Sequence, residues 1–371
     1  MPASRKAYPS LRFLLVLLIY GGIQFYVADK AIHMLGVSGW DWLPAGWAVA
    51  MLFAPLLLWR LENHSQYHVL AVAGAWVIYS WMGFSFLFFW VGLLLSLYDQ
   101  LLRMAGPSEF FVPSTFLVLA AMTAAIWGYG FAAARRICVE RVRVASGKLP
   151  AGFPGLRIAQ ISDLHLGVMS GRQRLDAVLR KIRKLEPDML ISTGDLVDAQ
   201  AHFVDALPSV LAGLQLPYGK FAVTGNHERY AGLAHALEFH VRCGFRLLRG
   251  EAVEVAGIVL AGVDDPVVMG SRTDEAGMLA AIPADRFVLF LKHQPVVDPA
   301  ARFDLQLSGH THKGQIFPFV LLVKLLYPLI AGLYTLPNGA QLYVSRGTGT
   351  WGPPIRIFSP PEITLIELTR A

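Results

Sequence analysis

Eight polar side chains stand out for what their types can do together: Asp163, His165, Asp195, Asn226, His227, His293, His310 and His312. Neutral imidazole, carboxylate and amide oxygen make a mixed nitrogen and oxygen donor set suited to Mn, Fe, Zn, Co or a related divalent ion, and the set is too large for one tetrahedral ion. Two ions sharing one carboxylate is the simplest arrangement. A pair of ions about 3.5 to 4 Å apart can hold a hydroxide between them and clamp a phosphoryl oxygen, stabilising charge on the attacking and leaving atoms. Order along the chain does not say which ligand serves which ion.

Such groups act together only if the fold gathers them, and the hydrophobic pattern says how. Residues 157–161 (RIAQI) read as a buried strand ending in SDLHLG, and residues 172–185 then space Leu175, Val178, Leu179, Ile182 and Leu185 as one face of a helix. The alternation recurs: a strand at 189–192 ending in TGDLVD, a helix over 204–214, a strand at 221–223 ending in TGNHE, a helix near 233–242, strands near 258–263 and 287–291, and one near Leu305 before SGHTH. This predicts an α/β layered domain. Ligands of open α/β sheets bind beyond the carboxyl ends of the strands, and all eight side chains fall there.

The ordered blocks Asp163-Leu164-His165-Leu166-Gly167, Gly194-Asp195-Leu196-Val197-Asp198, Gly225-Asn226-His227-Glu228, His293 and Gly309-His310-Thr311-His312 resemble the calcineurin-like metallophosphoesterases. Any single block is weak; the series, in the family's order across most of residues 156–368, is highly specific. The resemblance implies a double β-sandwich flanked by helices, with one metal held by Asp163, His165, Asp195 and His312 and a second by Asp195, Asn226, His293 and His310. Asp195 would bridge. His227 would protonate the leaving group or steady the transition state, with Glu228 nearby to orient it. The closing stretch 341–368 looks like that of a membrane-associated bacterial subgroup. Lys313 departs from the glycine often found there, and could contact substrate phosphate or narrow the mouth of the site; with Arg346 it is a candidate substrate-binding cation.

Other polar residues have plainer readings. His202, His235 and His240 read as helix-surface or core residues, and Asp198 as a supporting or turn-stabilising carboxylate rather than a ligand. Gly167, Gly194, Gly225 and Gly309 suit tight turns that bring backbone close to metal.

Only 16% of the 371 residues are charged, against roughly 25% in an ordinary soluble domain. Residues 1–134 carry six basic and five acidic side chains, and residues 135–371 carry 26 and 21, so the two parts are built for different solvents. Uncharged or nearly uncharged stretches at 11–28, 43–59, 69–98 and 114–134 predict four membrane spans, and Trp40, Trp42 and Trp59 fall where interfacial aromatics belong. Residues 135–155 read as a basic juxtamembrane linker, and 156–371 as the phosphoesterase domain. Arg5, Lys6, Arg12, Arg60, Arg135, Arg136, Arg141, Arg143 and Lys148 flank one side, against Lys30 and Arg103 on the other. That bias predicts a multi-pass protein of the inner (cytoplasmic) membrane with both termini and the phosphoesterase domain in the cytoplasm. The third stretch is long enough that two short crossings would reverse this parity.

Two cysteines, Cys138 and Cys243, make no disulfide framework. Residues 316–336 (IFPFVLLVKLLYPLIAGLYTL) hold one charge, Lys324, and read as a surface that dips into the bilayer interface beside the site, since Pro318, Pro328 and the short run argue against a fifth span. The basic helix 172–184 is either a solvated face or one drawn to anionic head groups. With net charge +6 and no aromatic platform, nucleic acid is an improbable partner. The expected substrate is therefore a phosphorylated or nucleotide-linked lipid, cleaved at a phosphodiester or pyrophosphate bond; within the resembled subgroup one activity cleaves UDP-2,3-diacylglucosamine. The alternatives are a broad phosphodiesterase merely tethered to the membrane, or a non-catalytic membrane sensor.

Overall fold

The computed structural model describes the chain apart from residues 1–10, 35, 37–38, 40, 107–112, 199 and 271–272. Trp40, Arg5 and Lys6, used above for boundaries and orientation, lie outside the described residues. The chain divides into two units, residues 1–129 and 130–371.

The first unit is built from helices α1 (Leu11–Met34), α2 (Leu43–Glu62), α3 (His68–Ala105) and the greater part of α4 (Pro113–Arg135). All four are long and apolar enough to cross a membrane. The third apolar stretch is one uninterrupted helix of 38 residues, roughly 57 Å at the standard rise, which exceeds a hydrocarbon core of about 30 Å. Large apolar side chains such as Leu18, Phe53 and Val77 point outward, as a lipid solvent allows. Between α1 and α3 the buried Gln24 donates to Ser85 Oγ at 2.8 Å and accepts from Trp81 Nε1 at 2.8 Å, satisfying a polar group that lipid would not.

The second unit holds strands β1 (Cys138–Ser146), β2 (Leu156–Ile161), β3 (Met189–Ser192), β4 (Lys220–Ala222), β5 (Arg246–Leu247), β6 (Glu251–Val255), β7 (Ile258–Gly262), β8 (Val288–Leu291), β9 (Leu305–Ser308), β10 (Gly332–Thr335), β11 (Gln341–Val344) and β12 (Glu362–Arg370). They form two six-stranded sheets, β1-β12-β2-β3-β4-β5 and β10-β11-β9-β8-β7-β6. Ile158, Ile191 and Ile366 from the first sheet meet Leu260, Leu289 and Leu307 from the second in one core, so the architecture is the double β-sandwich. Helix α5 (Arg172–Leu185) lays its buried stripe on the outer face of the first sheet. The runs β2-β3-β4-β5 and β7-β8-β9-β11 are parallel, which turns their carboxyl ends to a common rim in each sheet.

Two expectations need correction. Residues 135–155 are not merely a linker: β1 pairs in parallel with β12 along all nine residues, Cys138 opposite Glu362 through Ser146 opposite Arg370. The basic count hid a period-two pattern in which Val142 and Val144 are buried and Arg141 and Arg143 face out, each about 3.2 to 3.3 Å from the Glu367 carboxylate. The helix read over 204–214 is broken into Ala201–Val204 and Pro208–Ala212, because Pro208 lacks an amide donor and starts a new helix instead of continuing the old one.

The apolar run 316–336 is no spanning helix. It contains a seven-residue helix, Val320–Leu326, and strand β10, and its Leu321, Leu325 and Leu326 are 62%, 81% and 65% exposed. Val144→Asp would bury an uncompensated carboxylate in the sandwich and is expected to destabilise the domain by about 3–5 kcal/mol in thermal unfolding. A free linker would show a change within about 0.5 kcal/mol.

Candidate metal centre

The two rims meet. Loops after β2, β3 and β4 carry Asp163 and His165, Asp195 and Asp198, and Asn226 and His227; loops after β8 and β9 carry His293, and His310 and His312. Backbone bonds lock the loops together: Asp163 N donates to Gly194 O at 3.0 Å, His165 N to Asp195 O at 3.0 Å, and Gly309 N to His293 O at 2.9 Å. The sheets are joined directly where His310 N donates to both carboxylate oxygens of Asp163, at 3.0 and 3.1 Å.

This turn geometry strains the chain at the functional residues themselves. Asp163, His165, Asp195, His310 and His312 have φ of 51°, 48°, 52°, 70° and 47°. Left-handed backbone costs a residue with a Cβ of order 1–3 kcal/mol and persists only where the surroundings over-determine it. Lys313 shares the conformation at φ 49°, which gives a physical reason for glycine at such a position. Gly225 serves close approach instead: a Cβ there would collide with Asp195 Oδ1.

The donor atoms gather in three overlapping groups, Asp163 with His165 and His312, His165 with Asp195 and His227, and Asp195 with His293 and His310, each set lying within 4.8 Å; the first and the last share no residue and form two separate triads. His165 Nε2 is 3.1 Å from His312 Nε2, which is 3.4 Å from Asp163 Oδ1. His293 Nε2 is 3.2 Å from Asp195 Oδ2 and 3.1 Å from His310 Nδ1. The same Asp195 oxygen lies 3.9 Å from His165 Nε2, so it stands between the triads, as a shared ligand would. Its other oxygen accepts from the His227 amide at 2.8 Å.

The residues fit divalent metal. Asn226 Oδ1 is buried without a hydrogen-bond partner among the described residues, an acceptor that a cation would satisfy. Burial alone would lower the His293 pKa, yet Asp195 raises it well above the usual imidazole range. A proton is thus held where a cation would compete for the same atoms. Burial, with the charge of His293 nearby, pushes His310 down to about 3, so this ring stays neutral and able to ligate.

His227 forms the wall beside the triads. Its Nδ1 is 2.6 Å from Asp198 Oδ1, while Asp198 Oδ2 is 3.3 Å from His165 Nδ1. Burial works against the charged ring, but the bond and charge of Asp198, aided by Asp195 and Glu228, raise it to about 9. Asp198 thus favours the charged form of the His227 ring over the neutral one. Tyr230 and Trp351, both largely exposed, meet its ring edge to face at centroid distances of 5.1 and 5.6 Å.

The structure reassigns two expected site residues. Glu228 does not orient the His227 ring: its fully buried carboxylate accepts from the amides of Gly225 (2.7 Å), Leu196 (2.8 Å) and Asp195 (3.0 Å), clamping the loop that carries the shared aspartate. Asp198 takes the orienting place, three residues past Asp195. Arg346 is not free for substrate, because its guanidinium pairs with Glu140 and, at 2.7 Å, with Glu362. Lys313 stays half-buried on the turn beside His312. Sequence reasoning missed Arg356, whose fully buried guanidinium donates to Arg346 O at 2.6 Å and Ser359 O at 3.2 Å and lies 3.1 Å from His312 Nδ1.

Gly225→Ala is expected to displace Asp195 and strip bound metal from both triads, measured by elemental analysis of purified protein; retained stoichiometry would contradict the close-approach argument. Asp198→Asn is expected to keep its metal while kcat against a chromogenic phosphodiester falls about 100-fold or more, the scale of a lost general acid.

The family model for calcineurin-like phosphoesterases matches residues 156–314. An uncharacterized metallophosphoesterase of Campylobacter jejuni is 30% identical over 375 residues, covering 95% of this chain and 97% of its own length. One from Aquifex aeolicus is 41% identical over 239 residues, 62% of this chain and 91% of its own. A transmembrane protein with metallophosphoesterase domain from Danio rerio is 33% identical over 270 residues, 67% of this chain and 62% of its own. The chain belongs to the calcineurin-like metallophosphoesterase family, as a membrane protein with four apolar helices ahead of the phosphoesterase fold.

Proposed function

We propose that this protein hydrolyses a phosphodiester or pyrophosphate bond in a lipid-linked or amphiphilic substrate at the membrane surface. Asp163, His165, Asp195 and His312 would hold one divalent ion and Asp195, Asn226, His293 and His310 a second, the ions being Mn, Fe, Zn or Co. Bound there, they would supply Lewis-acid charge for the phosphoryl oxygens and acidify a water into a nucleophile. His227, protonated at neutral pH, hands its Nε2 proton to the departing oxygen, and Asp198 fixes the ring by holding Nδ1. Burial of Asp163, Asp195 and His293 keeps bulk water from weakening these charges.

One observation carries the choice of an amphiphilic substrate. The helix Val320–Leu326 turns Leu321, Leu325 and Leu326 outward, and the next residue, Tyr327, lies 2.9 Å from His310. An apolar surface thus adjoins the phosphate-cleaving residues in a chain with membrane-length helices. UDP-2,3-diacylglucosamine is the specific candidate. The bias of basic side chains supports an inner-membrane, multi-pass arrangement with the phosphoesterase domain in the cytoplasm.

Detergent-solubilised protein, assayed with Mn, Fe, Co and Zn against lipid-linked pyrophosphates, phospholipids and soluble nucleotide diesters, is expected to turn over a lipid-linked member fastest, and to lose that activity in Asn226→Ala. Turnover confined to soluble diesters would contradict the substrate class. Metal-independent turnover would contradict the mechanism.

A further inference from the structure

Outside the metal-facing atoms, one polar chain runs back from the site through Tyr327 to Gln294 and Asp265. Tyr327 Oη lies 2.9 Å from His310 Nε2 and 3.3 Å from Gln294 Oε1, and the tyrosine and histidine rings meet edge to face at 4.9 Å. Gln294 Nε2 in turn donates to Asp265 Oδ2 at 2.7 Å. Asp265 is 1% exposed, and its other oxygen accepts from Val267 N at 2.8 Å.

Directionality settles the rest. A carboxylate only accepts, so the Gln294 amide turns its NH2 to Asp265 and its oxygen to Tyr327. That oxygen also only accepts, so the Tyr327 hydroxyl donates its single hydrogen there. The phenol oxygen is left to accept from His310, which places the ring proton of His310 on Nε2. A neutral imidazole protonated at Nε2 has its lone pair on Nδ1, the atom 3.1 Å from His293 Nε2 and grouped with Asp195.

We infer that Tyr327 is a positioning residue for the metal centre: held by Gln294 and Asp265, it fixes the tautomer and orientation of His310 and so sets the affinity of the Asp195, Asn226, His293 and His310 half, leaving the Asp163, His165 and His312 half alone. The inference rests on the reading of these residues as metal ligands. It also gives the exposed apolar helix a direct mechanical tie to the site, since Tyr327 follows Leu326 without a break.

The test is Mn²⁺ titration of metal-stripped, full-length protein in detergent, followed by calorimetry and electron paramagnetic resonance. Wild type is expected to take up two ions. Tyr327→Phe keeps the ring and loses the acceptor, and is expected to weaken one of the two by about 10- to 100-fold while the other is unchanged. Gln294→Leu leaves the tyrosine in place but frees its hydroxyl to point at His310, and is expected to weaken the same ion. In both variants turnover should recover at excess Mn²⁺. Two ions in wild type with both variants within about twofold of it, or equal weakening of both ions, would overturn the inference alone. A wild type that takes up no Mn²⁺ would overturn the metal-centre reading as well.

Discussion

Two carboxylates, Asp163 and Asp195, buried from water at one rim of a β-sandwich are the constraint on which the rest depends. Burial raises the Asp163 pKa, with the charge of Asp195 adding to it, whereas His293, His227 and His165 overcome burial to hold Asp195 well below the usual carboxylate range. Anions in such a place need cations or protons beside them. The surrounding imidazoles answer that need in a geometry of lone pairs and short separations that suits divalent metal, and the His227 ring, drawn toward its charged form by Asp198, stands at its edge.

The fold works to hold this charge arrangement against strain. Left-handed backbone at Asp163, His165, Asp195, His310 and His312 would relax if the loops were free. Three buried braces prevent it: Glu228 gathers the amides around Asp195, the Asp163 carboxylate binds the His310 amide from the opposite sheet, and Arg356 ties His312 to the loop after β11. The first two are carboxylates meeting backbone amides, and the third is a guanidinium meeting the His312 ring and the Arg346 carbonyl; a charged partner makes such bonds stronger than neutral ones.

The side chains that gather at the rim were legible because their placement is local: a strand ends, and an aspartate or histidine follows within a few residues. The braces were not legible, because their meaning lies in direction and partner. Glu228 sits beside His227 in sequence yet directs its carboxylate to the amides of Gly225, Asp195 and Leu196, while Asp198, read as a supporting carboxylate, does support the site by pairing with His227 Nδ1. Arg346 and Arg356 look alike as sequence cations near strands, yet one closes an ion-pair cluster with Glu140 and Glu362 and the other reaches His312. Tyr327 was hidden inside an apolar run whose composition spoke only of lipid. Strand β1 was missed because its arginines were counted as charge instead of as the outward half of an alternation.

Anomalous X-ray scattering from Mn-loaded crystals, recorded on either side of the metal edge, tests the central claim most directly. Two peaks are expected, with Asp195 as the ligand residue common to both, one completed by Asp163, His165 and His312 and the other by Asn226, His293 and His310. A single peak, no peak, or two peaks that share some other ligand would contradict it.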